Sequence, residues 1–256
     1  LARKEEYVAE KTSDGLPRPA AEHMSSLQRP PNQLLQALPA EDFELVGARL
    51  KPSQMIREAI LVEAGVAPPQ IVFPHGGAVS IVVNLSEGQS VEVAMIGHDS
   101  VIGACEALGG GVSLTDAIVL FPEAASVIEL ADFRVVAAQS SALRGLVSRN
   151  GEALLAQAQQ TAACNAVHSV EARLSRWLLR ARDLHDGRTL PLTQELLAQM
   201  IGVRRNAVSI VAHALQEAGT ISYSRGQIEI IDVEALRRTS CECHTAIRAR
   251  QAQLLA

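Results

Sequence analysis

Long apolar runs, paired cysteines and an excess of basic charge are all missing from this sequence, and each absence removes a class of function. No apolar stretch approaches the roughly 18 residues that a membrane span requires. The charged N-terminus lacks the apolar segment of a secretory signal, so a cytoplasmic protein without membrane attachment is expected. The cysteines (Cys105, Cys164, Cys241 and Cys243) are too few and too scattered for a disulfide framework. Only Cys105 lies in the N-terminal half, which excludes an iron–sulfur sensor there. No predicted strand carries the histidine pair that a cupin-like metal enzyme gathers. Catalysis is therefore not expected, no residue is assigned as catalytic, and no cofactor is called for.

The missing basic charge bears directly on nucleic acid. Formal net charge is −5 over 256 residues, but eight arginines face seven acids between residues 185 and 256, leaving that part near +1 and the rest near −6. Diffuse attraction to phosphate is then weak, and DNA binding has to rest on a few placed arginines and on two copies acting together.

Residues 192–218, LTQELLAQMIGVRRNAVSIVAHALQEA, hold what such placement needs. Thr193 suits a helix N-cap with Glu195 in the positive first turn. Leu197, Ala198 and Ile201 form an inward stripe, and the small Ala198 lets a second helix cross closely. Gly202 supplies the positive φ of a tight turn, Val203 plugs it, and Val208 and Val211 return to the core at helical spacing. The second helix opens with Arg204, Arg205 and Asn206 and continues through Ser209 and His213, which places polar donors at the end that enters a major groove. A plain helical hairpin with solvated arginines has a similar pattern. The next residues favour the DNA reading: 220–223 and 227–231 are β-branched runs around Ser224-Arg225-Gly226, a hairpin whose tip presents Arg225 to phosphate.

Residues 192–236, from this helical pair through the hairpin, resemble the winged-helix domain of bacterial transcription regulators of the cyclic-AMP receptor and fumarate–nitrate reduction regulator (CRP/FNR) class. VEARLSRWLL at residues 170–179 is similar to that family's dimer-helix end and hinge, and ILVEAG with IVFPHGGAVSIVV is similar to its β-roll. The resemblance covers roughly residues 34–244. It implies an α+β protein: an N-terminal double-stranded β-helix (a cyclic-nucleotide-binding-like β-roll), a long dimerisation helix and a C-terminal winged helix-turn-helix. The expected divisions are a tail at 1–31, with Met24 as the natural start, a roll at 32–150, the dimer helix at 151–183 and the winged domain at 184–256. Asn32 is read as the cap of a short helix, with a second from Glu41 to Leu50.

The roll itself is legible without the family. Short Val- and Ile-rich runs at 60–62, 71–73, 79–85, 91–96, 117–121 and 126–130 are separated by turn residues, the spacing of a compact roll or barrel. Cyclic-nucleotide-binding members of the family carry a Gly-Glu-Leu segment and an Arg-Ser pair in the roll. The corresponding stretches here are Gly103-Ala104-Cys105 and residues 113–117, SLTDA, which hold no arginine and carry Asp116 instead. Half of an ionic hydrogen-bonded pair is missing, so tight cyclic-nucleotide binding is not expected. An effector, if one exists, is neutral or apolar. His75 and His98 sit in turns and are read as solvent-facing.

Ala156, Gln160, Ala163, Val167, Val170, Leu174 and Trp177 alternate by four and three, a heptad seam in which Ala163, Val167, Val170 and Leu174 are the candidate dimer contacts. A homodimer sets two recognition helices one helical turn apart on double-stranded DNA, so the target is a near-palindrome. RNA polymerase is a further partner that activation requires, although no motif marks such a surface. The alternative is a dimeric ligand-binding or scaffold protein with a degenerate winged domain; the polar face at Arg205, Asn206 and Ser209 speaks against it. Cys241-Glu242-Cys243-His244 brings together soft ligands, yet no second pair follows downstream. A packing or surface role is expected, with redox sensing and metal binding as the alternatives.

Overall fold

The computed structural model describes residues 28–185, 187 and 189–254, so the expected tail through residue 27 and the start at Met24 lie outside the described residues. The last part of that tail is structural. Arg29 donates to the carbonyls of Leu35, Gln36 and Leu38 at 3.1, 2.8 and 2.6 Å, and its guanidinium lies 4.7 Å over the ring of Phe43. It thereby satisfies carbonyls left free at the end of α1 (Gln33–Ala37), where α2 (Ala40–Gly47) follows at once. Asn32 caps α1 as expected, accepting from the amides of Leu34 and Leu35, and its amide also donates to Pro74 and Ser100 at 3.0 and 2.9 Å. One buried side chain both starts a helix and rivets it to the roll.

All six expected runs are strands, joined by a seventh. One sheet has the order β1-β7-β3 and the other β2-β6-β4-β5, with β1 (Lys51–Gln54), β2 (Ile60–Val62), β3 (Gln70–Pro74), β4 (Ala78–Asn84), β5 (Ser90–Ile96), β6 (Asp116–Phe121) and β7 (Ala124–Glu129). The sequence reading missed β1 because Lys-Pro-Ser-Gln is an edge strand with no apolar alternation, and an edge tolerates proline. Val72, Val79, Ile96, Val119 and Val127 fill the space between the sheets. A second core, around Phe73, Ile128 and Phe133, is closed by α3 (Ala104–Gly109), α4 (Leu130–Gln139) and the start of α5 (Ser141–Val167).

The single helix expected over 151–183 is two helices. α5 begins ten residues earlier, where Ser140 accepts from the amide of Leu143 at 2.9 Å, and ends at Val167. His168 and Ser169 are extended, Ser169 caps a new helix by accepting from Ala172, and α6 (Val170–Leu184) follows. This corrects the dimer seam. Leu174 is 0% exposed inside the winged domain's core and is not free to meet a second copy; Val170 is half-buried against that core, and Ala163 and Val167 are exposed. Ala156 and Gln160 turn toward the chain's own C-terminal helix α10 (Cys243–Leu254), which lies along α5. Packing on a neighbouring helix of the same chain produces the same four-three spacing as a coiled coil.

From Arg173 to Ala181 every residue of α6 is buried. On one side it supports β8 (Thr189–Leu190), α7 (Gln194–Met200), α8 (Arg205–Glu217), β9 (Ile221–Ser224), β10 (Gln227–Ile230) and α9 (Val233–Thr239); on the other it meets Met95, Leu120 and Phe121 of the roll. Arg180 joins the two units: its guanidinium is 2.8 Å from the carboxylate of Asp99 and donates to the carbonyl of Met95 at 3.1 and 2.8 Å.

In the same interface Glu92 is buried, accepts from Ser80 at 2.7 Å, and is pushed up to about 7 by burial, against the pull of Ser80, Arg176 and Arg180. The folded protein holds this proton more tightly than an unfolded chain whose glutamate titrates near 4.5. The contribution is complete below pH 4.5 and is lost as pH rises through about 7, at most about 3 kcal/mol in size. Glu92→Gln, which keeps an acceptor without the ionisation, is expected to flatten the fall in Tm between pH 5 and pH 8. Thermal denaturation across that range checks this, and an unchanged slope would show that Glu92 does not carry the proton.

Candidate nucleic-acid interface

The helix-turn-helix is built as its residues dictate. Thr193 accepts from the amide of Leu196 at 3.1 Å and caps α7; Gly202 takes φ +63°, and the amides of Gly202 and Val203 return to the carbonyls of Gln199 and Ala198 at 3.2 and 2.9 Å. Orphan carbonyls of α7 are satisfied within the turn, which fixes where α8 starts. Leu197, Ala198, Ile201 and Val208 are buried, with Val203 and Val211 packed against them.

Arg204, Arg205, Asn206 and His213 are exposed on α8, and Arg204 stands at its N-cap position without a capping side chain, so the positive end of the helix is open. Arg205 is 3.9 Å from Glu195 and His213 is 3.3 Å from Glu217; both contacts are exposed and screened, and neither holds its side chain back. Ser209 differs from the sequence reading. It is half-buried and its hydroxyl donates to Gln194 at 2.5 Å, so it braces α8 against α7. Ile210 was missed. It is 71% exposed on the face that carries Asn206 and His213, and a reading that sends every aliphatic side chain inward cannot find it. The turn of the wing is formed by Arg225 at φ +49° and Gly226 at φ +75°, both in the left-handed region that two-residue hairpins favour, and Arg225 is exposed at the tip. Tyr223 is tied to α8 through the Gln216 side chain at 2.8 Å, and β8 adds a third strand opposite Ile228.

The roll brings Gly103, Cys105 and Glu106 together with Ser113, Thr115 and Ala117 around a cavity of about 220 Å³ closed by Leu154 and Leu155 of α5. No arginine or lysine lines it. Asp116 does not line the cavity: its carboxylate accepts from the amide of Ala64 and from Asn84, each at 2.6 Å. Burial pushes Cys105 up to about 11, which leaves it a thiol at neutral pH. His75, expected to face solvent, is half-buried with Nε2 2.9 Å from the Ser126 hydroxyl, and burial lowers its pKa; His98 is half-buried too. At the C-terminus His244 is 2.9 Å from Asp183 and turns away from Cys241 and Cys243, which are buried beside Cys164. No helix among the described residues is long and apolar enough to cross a membrane.

Comparison with known proteins agrees with this geometry. The Crp-like helix-turn-helix domain family matches residues 172–239, from the first turn of α6 to the end of α9. No curated protein matches the chain. Among solved structures, a transcriptional regulator of the CRP/FNR family from Eubacterium rectale superposes with a TM-score of 0.63 at 14% identity, over 80% of this chain and 96% of that one. FixK2 from Bradyrhizobium japonicum gives 0.63 at 15% identity, over 75% and 98%. A CRP-family transcriptional regulator from Thermus thermophilus gives 0.60 at 21% identity, over 73% and 96%. Residues 172–239 thus match the Crp-like helix-turn-helix domain family, in a chain with the fold of the CRP/FNR transcription regulators.

Proposed function

We propose that this CRP/FNR-type regulator binds double-stranded DNA as a homodimer on a near-palindromic operator in the cytoplasm, without a cyclic nucleotide. The observation that carries the reading is α8 itself: a helix fixed by a Gly202 turn whose open N-terminus presents Arg204, Arg205 and Asn206, with His213 further along the same exposed face and Arg225 on the adjacent wing. Arg205 reads a guanine through O6 and N7, while Arg225 contacts phosphate. RNA polymerase is the further partner where regulation is positive.

Dimerisation is assigned to the exposed stripe of α5, where Leu155, Ala162 and Ala166 recur at sevens and fours and Ala163 and Val167 border them. Small residues here let two helices approach closely. The roll's cavity supports the expectation about effectors. At about 220 Å³ it lies below the roughly 300–1,000 Å³ of sites for drug-sized ligands, it is walled mainly by aliphatic side chains, and it has no cation for a phosphate. A small neutral or apolar molecule suits it.

Arg205→Ala is expected to cost about 1–3 kcal/mol on the best operator and to relax preference at one base pair per half-site. Arg225→Ala instead weakens all sequences alike and lowers the salt slope by about one. Binding to a selected operator pool at several salt concentrations separates the two, and an equal loss on every sequence for Arg205→Ala would refute base reading. A second expectation concerns assembly: Ala162→Glu, exposed in one chain, should yield monomers and weaken operator binding by roughly 100-fold or more as bivalency is lost. Sedimentation of a variant that remains dimeric at micromolar concentration would move the interface off this face of α5.

A further inference from the structure

The motif at Cys241 lacks a second pair of ligands downstream because the pair lies upstream. Cys164 and His168 stand four residues apart at the end of α5, where i and i+4 share a face, and they meet Cys241 and Cys243 at the joint between α9 and α10. The sulfurs of Cys164 and Cys241 are 3.6 Å apart, the sulfur of Cys243 is 3.6 Å from His168 Nδ1, and all four ligating atoms lie within 4.8 Å of one another. We propose that Cys164, His168, Cys241 and Cys243 are the ligands of a single tetrahedral zinc ion.

The distances select one ion. With Zn–S near 2.3 Å and Zn–N near 2.0–2.1 Å, the edges of a tetrahedron are about 3.8 Å between sulfurs and about 3.6 Å between sulfur and nitrogen. Both 3.6 Å separations are already close to those edges. An iron–sulfur cluster, whose ligands sit on different metal atoms, needs its cysteines farther apart. Three thiols and an imidazole are also the donor set that soft and borderline ions choose over magnesium or calcium.

Two features around the ligands fit a metal site. With Nδ1 directed at the sulfurs, the other ring nitrogen of His168, Nε2, is 3.4 Å from the carboxylate of Glu242, the partner that orients a metal-bound histidine and fixes its tautomer. Gln160 donates to the sulfur of Cys243 at 3.1 Å. Charge fits as well. Zinc with three thiolates carries one net negative charge, and the guanidinium groups of Arg173 and Arg176, both buried, act electrostatically on Cys164 while their Nε atoms have no hydrogen-bond partner. Binding releases the three thiol protons to solvent and leaves the imidazole neutral.

The ion would bridge the two places where the chain changes direction, the extended break at His168–Ser169 and the joint before α10. It therefore sets the angle between the long helix and the winged domain. The site ends outside the matched domain, since Cys241 and Cys243 follow residue 239 and Cys164 and His168 precede residue 172.

The test uses the full chain, reduced and purified without metal-affinity resin, with zinc measured by mass spectrometry and cobalt(II) as the optical probe. Expected are about one zinc per chain, a fall in Tm on chelation that zinc restores, and a cobalt spectrum with intense tetrahedral ligand-field bands and sulfur-to-cobalt charge transfer. Cys241→Ser and His168→Ala should each weaken metal binding by at least about 10-fold, whereas Cys105→Ser and His244→Ala leave it unchanged. The cobalt spectrum of the unaltered protein does not depend on any variant folding. A reduced protein that takes up neither ion, a six-coordinate cobalt spectrum without sulfur charge transfer, or binding that survives both ligand substitutions would each overturn the assignment.

Discussion

A buried ion pair, Arg180 with Asp99, sits where the winged unit meets the roll, and much else in the molecule depends on it. Removing a charge from water costs several kcal/mol, and the cost is met only when geometry is close and the remaining donors find acceptors. Arg180 meets both conditions: 2.8 Å from Asp99, with Nε and Nη2 on the carbonyl of Met95. Asp99 is itself anchored by accepting from the amide of Gly97. The pair pins α6 across β5, and α6 in turn is the floor on which α7, α8 and the wing are laid. The orientation of α8 relative to the roll is thus set in part well away from α8 itself.

Much of this was legible in the residues. Gly202, Thr193 and the inward stripe around them could be read because each makes a local demand, a positive φ, a cap or a face, that no distant contact can alter. The strands of the roll were legible for a similar reason, since β-branched runs between turn residues have few other uses. The break between α5 and α6 was not. The apolar spacing runs through Val167, Val170 and Leu174 without a fault, and only the extended backbone at His168 and Ser169 reveals that the two halves serve different neighbours.

What failed at the candidate sites failed for want of long-range information. Ser209 looked like a free donor until Gln194 took its hydroxyl, and Asp116 looked like an obstacle to an anion until Ala64 and Asn84 turned it aside. Cys164 sits 77 residues before Cys241, a separation across which no spacing rule operates. Only the fold, by laying α10 back along α5, brings the two sulfurs together.

The apolar core beneath Arg180 runs without interruption from Ala78, Met95 and Phe121 in the roll through Trp177 and Leu178 of α6 to Val208 and Leu236 in the winged unit. A segment cut at the start of α6 would bare Trp177 and Leu178 on one piece and Phe121 on the other, so neither half is a natural fragment. Loosening the roll therefore also bares the apolar surface of α6 on which α7 and α8 rest, so the two units share part of their stability.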